Sequence, residues 1–453
     1  MKSFQLPELR VVAQQIPGTA STDRAPTEIY RPFFVAGILS VLTAGCLLGA
    51  VALLGIALNS SYTVSAWTPY ILAHANSQLY GWVGFFVMGF SMQQHAPTVA
   101  TKASFLRLAY GAMVLMGLGI AVRFAAEPLV AVDRGLWIPI GMAACWAQAA
   151  AVLLYLYNIT FNRFRSGEKM PWQSILVLGS LSWLLAVTLA EPFFFVASHG
   201  TDPQARILFI AEWFVPYRDA QFLGFVASMV FGVALVKMYT CFGAQEACPK
   251  LGLGGYAVWT VGLLARMGGW VYAFQNGLEG DSRLIYHAGG LLLAAGAVMM
   301  VLATRMFSTL DIAAPSQKFV RAAFSWLILG GVLIAVEPLH LAAIGNPFSH
   351  AYLGAIRHAI TVGFISQMIV GVGMHVAARM NDIPARYERP LWATFWLLNL
   401  GNAARVGLEI ATDYSPGAFL PMGITGFVEL AGLALWAGYM LRTMLRPKSL
   451  VVA

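Results

Sequence analysis

Charge is what this sequence has least of. Only 11% of its 453 residues are Asp, Glu, Lys or Arg, against 59% hydrophobic, and the mean hydropathy is +0.70. That balance excludes an ordinary soluble domain, whose charged share is about a quarter. Cysteine is scarce as well. Cys46 and Cys145 sit in apolar runs, while Cys241 and Cys248 are too widely spaced for a CxxC site, so structural or incidental roles are expected for all four. The first 32 residues lack an apolar core followed by a small-residue cleavage site, and no cleaved signal peptide is expected. Apart from short polar connections such as 162–172 and 240–252, nothing reads as a linker or a soluble domain.

What is present instead is a series of apolar runs that reach the ~20 residues needed to span a bilayer. They predict an all-α integral membrane protein whose first partner is the lipid bilayer. Twelve helices are expected near 33–58, 70–93, 104–124, 136–160, 173–198, 214–239, 253–276, 284–306, 318–344, 352–377, 389–411 and 419–445. One membrane domain, 33–445, then lies between an N-terminal tail, 1–32, and a C-terminal tail, 446–453. The formal net charge of +8 is a topology signal and gives no evidence for a nucleic-acid partner. All Lys and Arg other than Arg123, Arg134, Arg206, Arg218, Arg266, Arg283, Arg357 and Arg405 fall on the tails or on loops after even-numbered helices. By the positive-inside rule both termini are expected to be cytoplasmic.

One spacing recurs three times. Gly81, Gly224 and Gly363 each have a glycine eight residues on (Gly89, Gly232, Gly371), another 38 on (Gly119, Gly262, Gly401) and an arginine 42 on (Arg123, Arg266, Arg405). Self-similarity of this kind marks an internal repeat. It divides the chain into three four-helix arcs at about 33–165, 173–310 and 318–445, with helices 2, 6 and 10 parallel and at matching depth. Two of the arginines have an acid one turn later, Glu127 after Arg123 and Glu409 after Arg405, whereas Trp270 follows Arg266. An intramembrane charge is a functional hypothesis by default, yet repetition in every arc also suits an architectural ion pair, and both readings stand.

Six of the eight histidines belong to the outer half. His74 lies seven residues before the anchor glycine of helix 2, and His358 lies five before that of helix 10. Two imidazoles at one level on parallel helices suit axial ligation of a haem, here expected as haem b, with arginines at that depth available to its propionates. The plain alternative is that each ring hydrogen-bonds a neighbouring hydroxyl or carbonyl. The second arc carries Tyr217, Arg218 and Asp219 at that level and supplies no imidazole. His340 and His350, near Glu337, are a candidate copper site or else loop histidines. His95 and His375 are a weaker inner pair. Glu191 and Glu337 head Glu-Pro pairs at which helices 5 and 9 are expected to kink.

Twelve helices in three arcs, with histidines on helices 2 and 10, resemble the catalytic subunit of haem-copper oxidases, where those helices carry the axial ligands of the low-spin haem. The closer local resemblance is to the NnrS family, carried by His74-Ala75-Asn76 before Tyr80-Gly81 and by His358-Ala359-Ile360-Thr361-Val362-Gly363. Asn76 stands where the family segment has a second histidine, and Ile356 stands where an oxidase has its high-spin haem ligand, so a complete oxygen-reducing centre is not expected. The resemblance implies a haem- and copper-associated protein of the bacterial inner membrane, linked to nitric oxide stress or denitrification.

The resulting expectation is a haem-binding membrane protein with His74 and His358 as ligands and Arg123, Arg405 and Arg357 near the propionates. A cytochrome or quinone would be its electron donor, and subunits of a respiratory complex would be partners. The alternatives are a metal-free permease and an assembly subunit of a respiratory complex.

Overall fold

The computed structural model describes residues 28–62, 67–96, 102–167, 169–278 and 280–445. Apart from 28–32, the expected tails 1–32 and 446–453 fall outside these residues. Among the described residues there is no strand, and the chain forms twelve helices. They are α1 (Tyr30–Asn59), α2 (68–94), α3 (Lys102–Leu129), α4 (Arg134–Ser166), α5 (Ser174–Ser198), α6 (Pro203–Phe242), α7 (Pro249–Gln275), α8 (Leu284–Thr304), α9 (Gln317–Ile344), α10 (His350–Met380), α11 (Trp392–Ala411) and α12 (Phe419–Leu445).

Nine of these, all but α2, α7 and α11, are long and apolar enough to cross a membrane among the described residues. The shortfall in α7 and α11 has a chemical reason: they carry Arg266, and Arg405 with Glu409, within the helix. The distribution of polarity is that of a multi-pass membrane protein. Large apolar side chains such as Leu118, Val261 and Leu400 face outward, while Arg266, Glu127 and Gln148 are buried. Water would reverse that arrangement, whereas lipid stabilises it.

The largest departure from the expected boundaries is α6, which begins at Pro203 and not near 214. Asp202 caps it by accepting from Gln204 N at 2.9 Å, and Pro203 occupies the first turn, where its missing N–H costs nothing. Gln204, Arg206 and Glu212 in these added residues, about three turns of helix, had masked it. Gly167, Gly243 and Gly345 close α4, α6 and α9 in left-handed conformations, with φ of +66°, +67° and +64°.

Pairs adjacent in sequence pack side by side: α3 on α4, α7 on α8, and α11 on α12. The next contacts join α4 to α5, α8 to α9 and α12 back to α1, so the last helix covers the first. Inside lie α2, α6 and α10. The apolar windows of α6 and α10 are 67% buried, against 50% or less for the other spans. α5 and α9 remain α-helical through Pro192 and Pro338, and the irregularity expected there appears in the inner helices instead.

Candidate functional site

Each inner helix widens into a π segment of eight residues: Ser77–Gly84 in α2, Ala220–Ala227 in α6 and Ala359–Ser366 in α10. The anchor glycines Gly81, Gly224 and Gly363 are the fifth residue of each. A Cβ on them would press on Ser40 of α1, Trp183 of α5 and Trp326 of α9 respectively, at 2.7, 2.8 and 2.5 Å. Glycine therefore lets each widened helix lie against its neighbour. A π turn also redirects the side chains around it, which is why such turns gather at functional sites. His74, Arg218 and His358 all fall within three residues of a π segment's first residue.

His74 Nδ1 lies 2.8 Å from the carbonyl of Gly45, the last residue of a shorter π turn in α1. A Cβ on Gly49, one turn further, would lie 2.5 Å from the imidazole, so the ring rests directly on the backbone of α1. His358 Nδ1 lies 2.9 Å from Gly354 O and 3.2 Å from Glu409 Oε2. A carbonyl only accepts, so both rings carry their proton on Nδ1. Neither Nε2 has a hydrogen-bond partner among the described residues. The His358 side chain keeps 31% of its surface open while Glu409 behind it keeps 3%. His358 and Arg218 both lie within electrostatic reach of His74.

The arginines divide into two kinds. Arg123 is committed: Nη2 meets Glu127 Oε1 at 2.7 Å and Glu191 Oε1 at 3.2 Å, and Nη1 donates to Cys145 Sγ at 3.0 Å. His199 Nε2 joins the other oxygen of Glu127 at 3.1 Å, and Tyr217 donates to Glu191. Arg266 is likewise held by Glu337 at 3.0 Å and Asp219 at 3.4 Å, so Glu191 and Glu337 are buried counter-ions to arginines of a preceding helix. Arg405 pairs through Nη2 with Glu409 at 3.0 Å, as its spacing predicted, but its buried Nε and Nη1 have no partner among the described residues. The Arg357 side chain forms no ion pair or hydrogen bond among the described residues, and its Nε is buried. It lies within reach of Asp219 and Arg218.

Of the remaining histidines His340 and His375 are occupied, whereas His287 Nδ1 is buried without a partner among the described residues. His340 Nε2 contacts Asp413 Oδ2 at 2.7 Å, its Nδ1 contacts the Tyr414 hydroxyl at 3.2 Å, and the ring stacks on Tyr352. With both nitrogens engaged, His340 does not fit a copper ligand, and His350 next to it is exposed. Among the described residues no group of three His, Cys, Asp or Glu side chains is placed to hold a metal ion. His375 Nδ1 is bonded to Glu388 at 2.6 Å.

The family model described as NnrS protein matches residues 28–448. The chain belongs to the NnrS family. No curated protein matches it. In this family member the residue that sequence reasoning passed over is Arg218. It stood in the tripeptide that supplies no imidazole, yet the fold brings it within electrostatic reach of His74. The signal available was its offset of six residues from Gly224, between the seven of His74 from Gly81 and the five of His358 from Gly363.

Proposed function

We propose that this NnrS-family chain binds one haem of b type through Nε2 of His74 and His358, near the outer face of the bacterial inner membrane, and that it handles nitric oxide and related reactive nitrogen species. Both termini are cytoplasmic in this reading. The single observation that carries it is the shared state of the two rings: each Nδ1 is tied to an acceptor, which presents an uncommitted Nε2 lone pair from each of two inner helices. An acceptor behind the distal nitrogen is how proteins fix the tautomer and orientation of a ligating imidazole.

The other groups suit the same occupant. Arg357 and Arg405 have N–H groups to offer a carboxylate, and Arg218, whose Nη1 donates to Gln221 Oε1 at 2.6 Å, adds a third guanidinium within electrostatic reach of His74. Arg123, spent on two glutamates and a thiol, has only its Nε left over. A haem with both axial positions filled by imidazole supplies one-electron transfer. What the chain does is hold the ligand pair rigid: Gly45 and Gly49 seat one ring, and Gly354 and Glu409 seat the other. The matching π segments and the α4/α5, α8/α9 and α12/α1 junctions support three oxidase-like four-helix arcs as the scaffold.

The test is spectroscopic. Purified wild-type protein should show a Soret band and a pyridine haemochrome of b type, and His74→Ala and His358→Ala should each lose the low-spin signature while remaining folded. A colourless, well-folded wild type would overturn the reading and leave the permease as the better one.

A further inference from the structure

The half of the molecule that carries the chain ends contains a cavity of about 450 Å³ between α1, α2, α4, α5, α6 and α10, which nothing above uses. That volume falls within the roughly 300–1,000 Å³ range of small-molecule sites. Its deeper wall includes Phe34, Phe86, Met229 and Met368; at the helix ends it is rimmed by Gln94, Arg163, Gln173 and Lys237. No Asp or Glu lines it. Lys237 forms no ion pair among the described residues and lies 5.5 Å from the Phe90 ring.

We infer that this cavity binds a quinone. An apolar interior with aromatic faces suits a flat ring and its tail, and a rim of ammonium, guanidinium and amide donors without any carboxylate suits carbonyl acceptors. Its position agrees. Met368 follows His358 by ten residues, about 15 Å along a helix at ~1.5 Å per residue. The interval is filled by aromatic rings: Phe86, which lines the cavity, lies 4.8 Å from Trp82 and 5.8 Å from Trp436, and those two lie 5.4 Å apart. Trp82 is in turn eight residues beyond His74. The role of the quinone as partner of the histidine pair rests on the reading above, whereas its binding does not.

The experiment titrates the purified full chain in nanodiscs with ubiquinone-1, read by quenching of tryptophan fluorescence, with oleate as competitor. Saturable quenching is expected, weakened at least tenfold by Val233→Trp, which fills the cavity, and severalfold by Lys237→Gln, which leaves its volume unchanged. His358→Ala should bind the quinone as wild type does, so loss of haem and loss of quinone are read separately. Non-saturable quenching, or quenching indifferent to both cavity variants, would overturn the inference. So would displacement by oleate at concentrations below those at which the quinone itself saturates, since that marks an acidic-lipid site.

Discussion

Glu409 links His358 to Arg405: one carboxylate oxygen lies 3.2 Å from the imidazole Nδ1 and the other 3.0 Å from the guanidinium Nη2. Gly354 makes the approach feasible, because a Cβ there would run into the Glu409 carboxylate. Arg123 has the same arrangement on its own helix, where Glu127 lies 2.7 Å from its Nη2 and 3.1 Å from His199 Nε2. Arg123 reaches Glu191 on α5 and Arg266 reaches Glu337 on α9, both acids of the following unit. Arg405 has no such cross-helix acid among the described residues, and its one carboxylate partner is shared with the candidate ligand His358. Arg405 thus lacks the cross-helix ion pair of Arg123 and Arg266, and lacks it where one of the candidate ligands lies.

Replacing Glu409 with Gln tests that link without changing its shape. The amide removes the negative charge behind His358 and its pull on the Nδ1 proton, so the ring becomes a poorer donor through Nε2. We expect haem affinity to fall about 10- to 100-fold, the magnitude usual for partners behind a metal ligand. The midpoint potential should rise, since a less basic ligand stabilises the oxidised iron less. Haem content after gel filtration and a redox titration read the two effects. Unchanged values for both would show that Glu409 serves only Arg405.

Gly49→Ala is a steric test of His74. The new methyl would lie 2.5 Å from the ring, and neither the backbone of α1 nor an imidazole already bonded to Gly45 can yield that distance. Overpacking of this kind costs about 1–3 kcal/mol. Gly111→Ala on α3 is the matched control, with nothing within 4 Å of its Cβ, and it should be neutral or slightly stabilising because alanine is the better helix former. Thermal unfolding in detergent compares them. Equal midpoints for the two variants would mean that the ring does not lie on Gly49.

These tests fall where sequence and structure agree only in part. Apolar run length placed eleven of the twelve helices closely, because a membrane span must be long and apolar whatever it packs against. The start of α6 was missed because Gln204, Arg206 and Glu212 interrupt its first three turns or so, Pro203 to Trp213. The three glycine anchors marked the right places but not the reason, since a π turn differs from an α turn by one residue of register and has no compositional mark. Arg123 with Glu127 was legible as a local i,i+4 pair. Its bond to Glu191, 68 residues away, was not, nor was the approach of Arg218 to His74, because both depend on which inner helix faces which.

The Arg266 cluster predicts a large stability effect. Arg266 is 1% exposed, with Glu337, Asp219 and Tyr286 around it. Arg266→Met leaves two buried carboxylates without their cation, and removing one partner of a buried pair costs about 3–5 kcal/mol. Adding Glu337→Gln to that variant removes one orphaned charge and should recover part of the loss. Chemical denaturation of the single and double variants measures this. If the double variant is no more stable than Arg266→Met, the pair is not coupled in the way the 3.0 Å contact implies.

His340 and His350 give the last prediction. His340 sits between α9 and α11 with one nitrogen on Asp413, which also accepts from Ser349, and the other near Tyr414. That arrangement uses the ring as a crosslink between three elements, so His340→Ala should lower the unfolding midpoint by loosening the outer end of α11. A crosslink and a copper ligand make opposite predictions for metal content. Elemental analysis of wild type, His340→Ala and His350→Ala should return the same copper content in all three, because a ring with both nitrogens hydrogen-bonded has no lone pair to give. A stoichiometric amount of copper in wild type that disappears in either variant would mean that the Asp413 and Tyr414 contacts exchange for a metal, and that the outer loop is a second metal site.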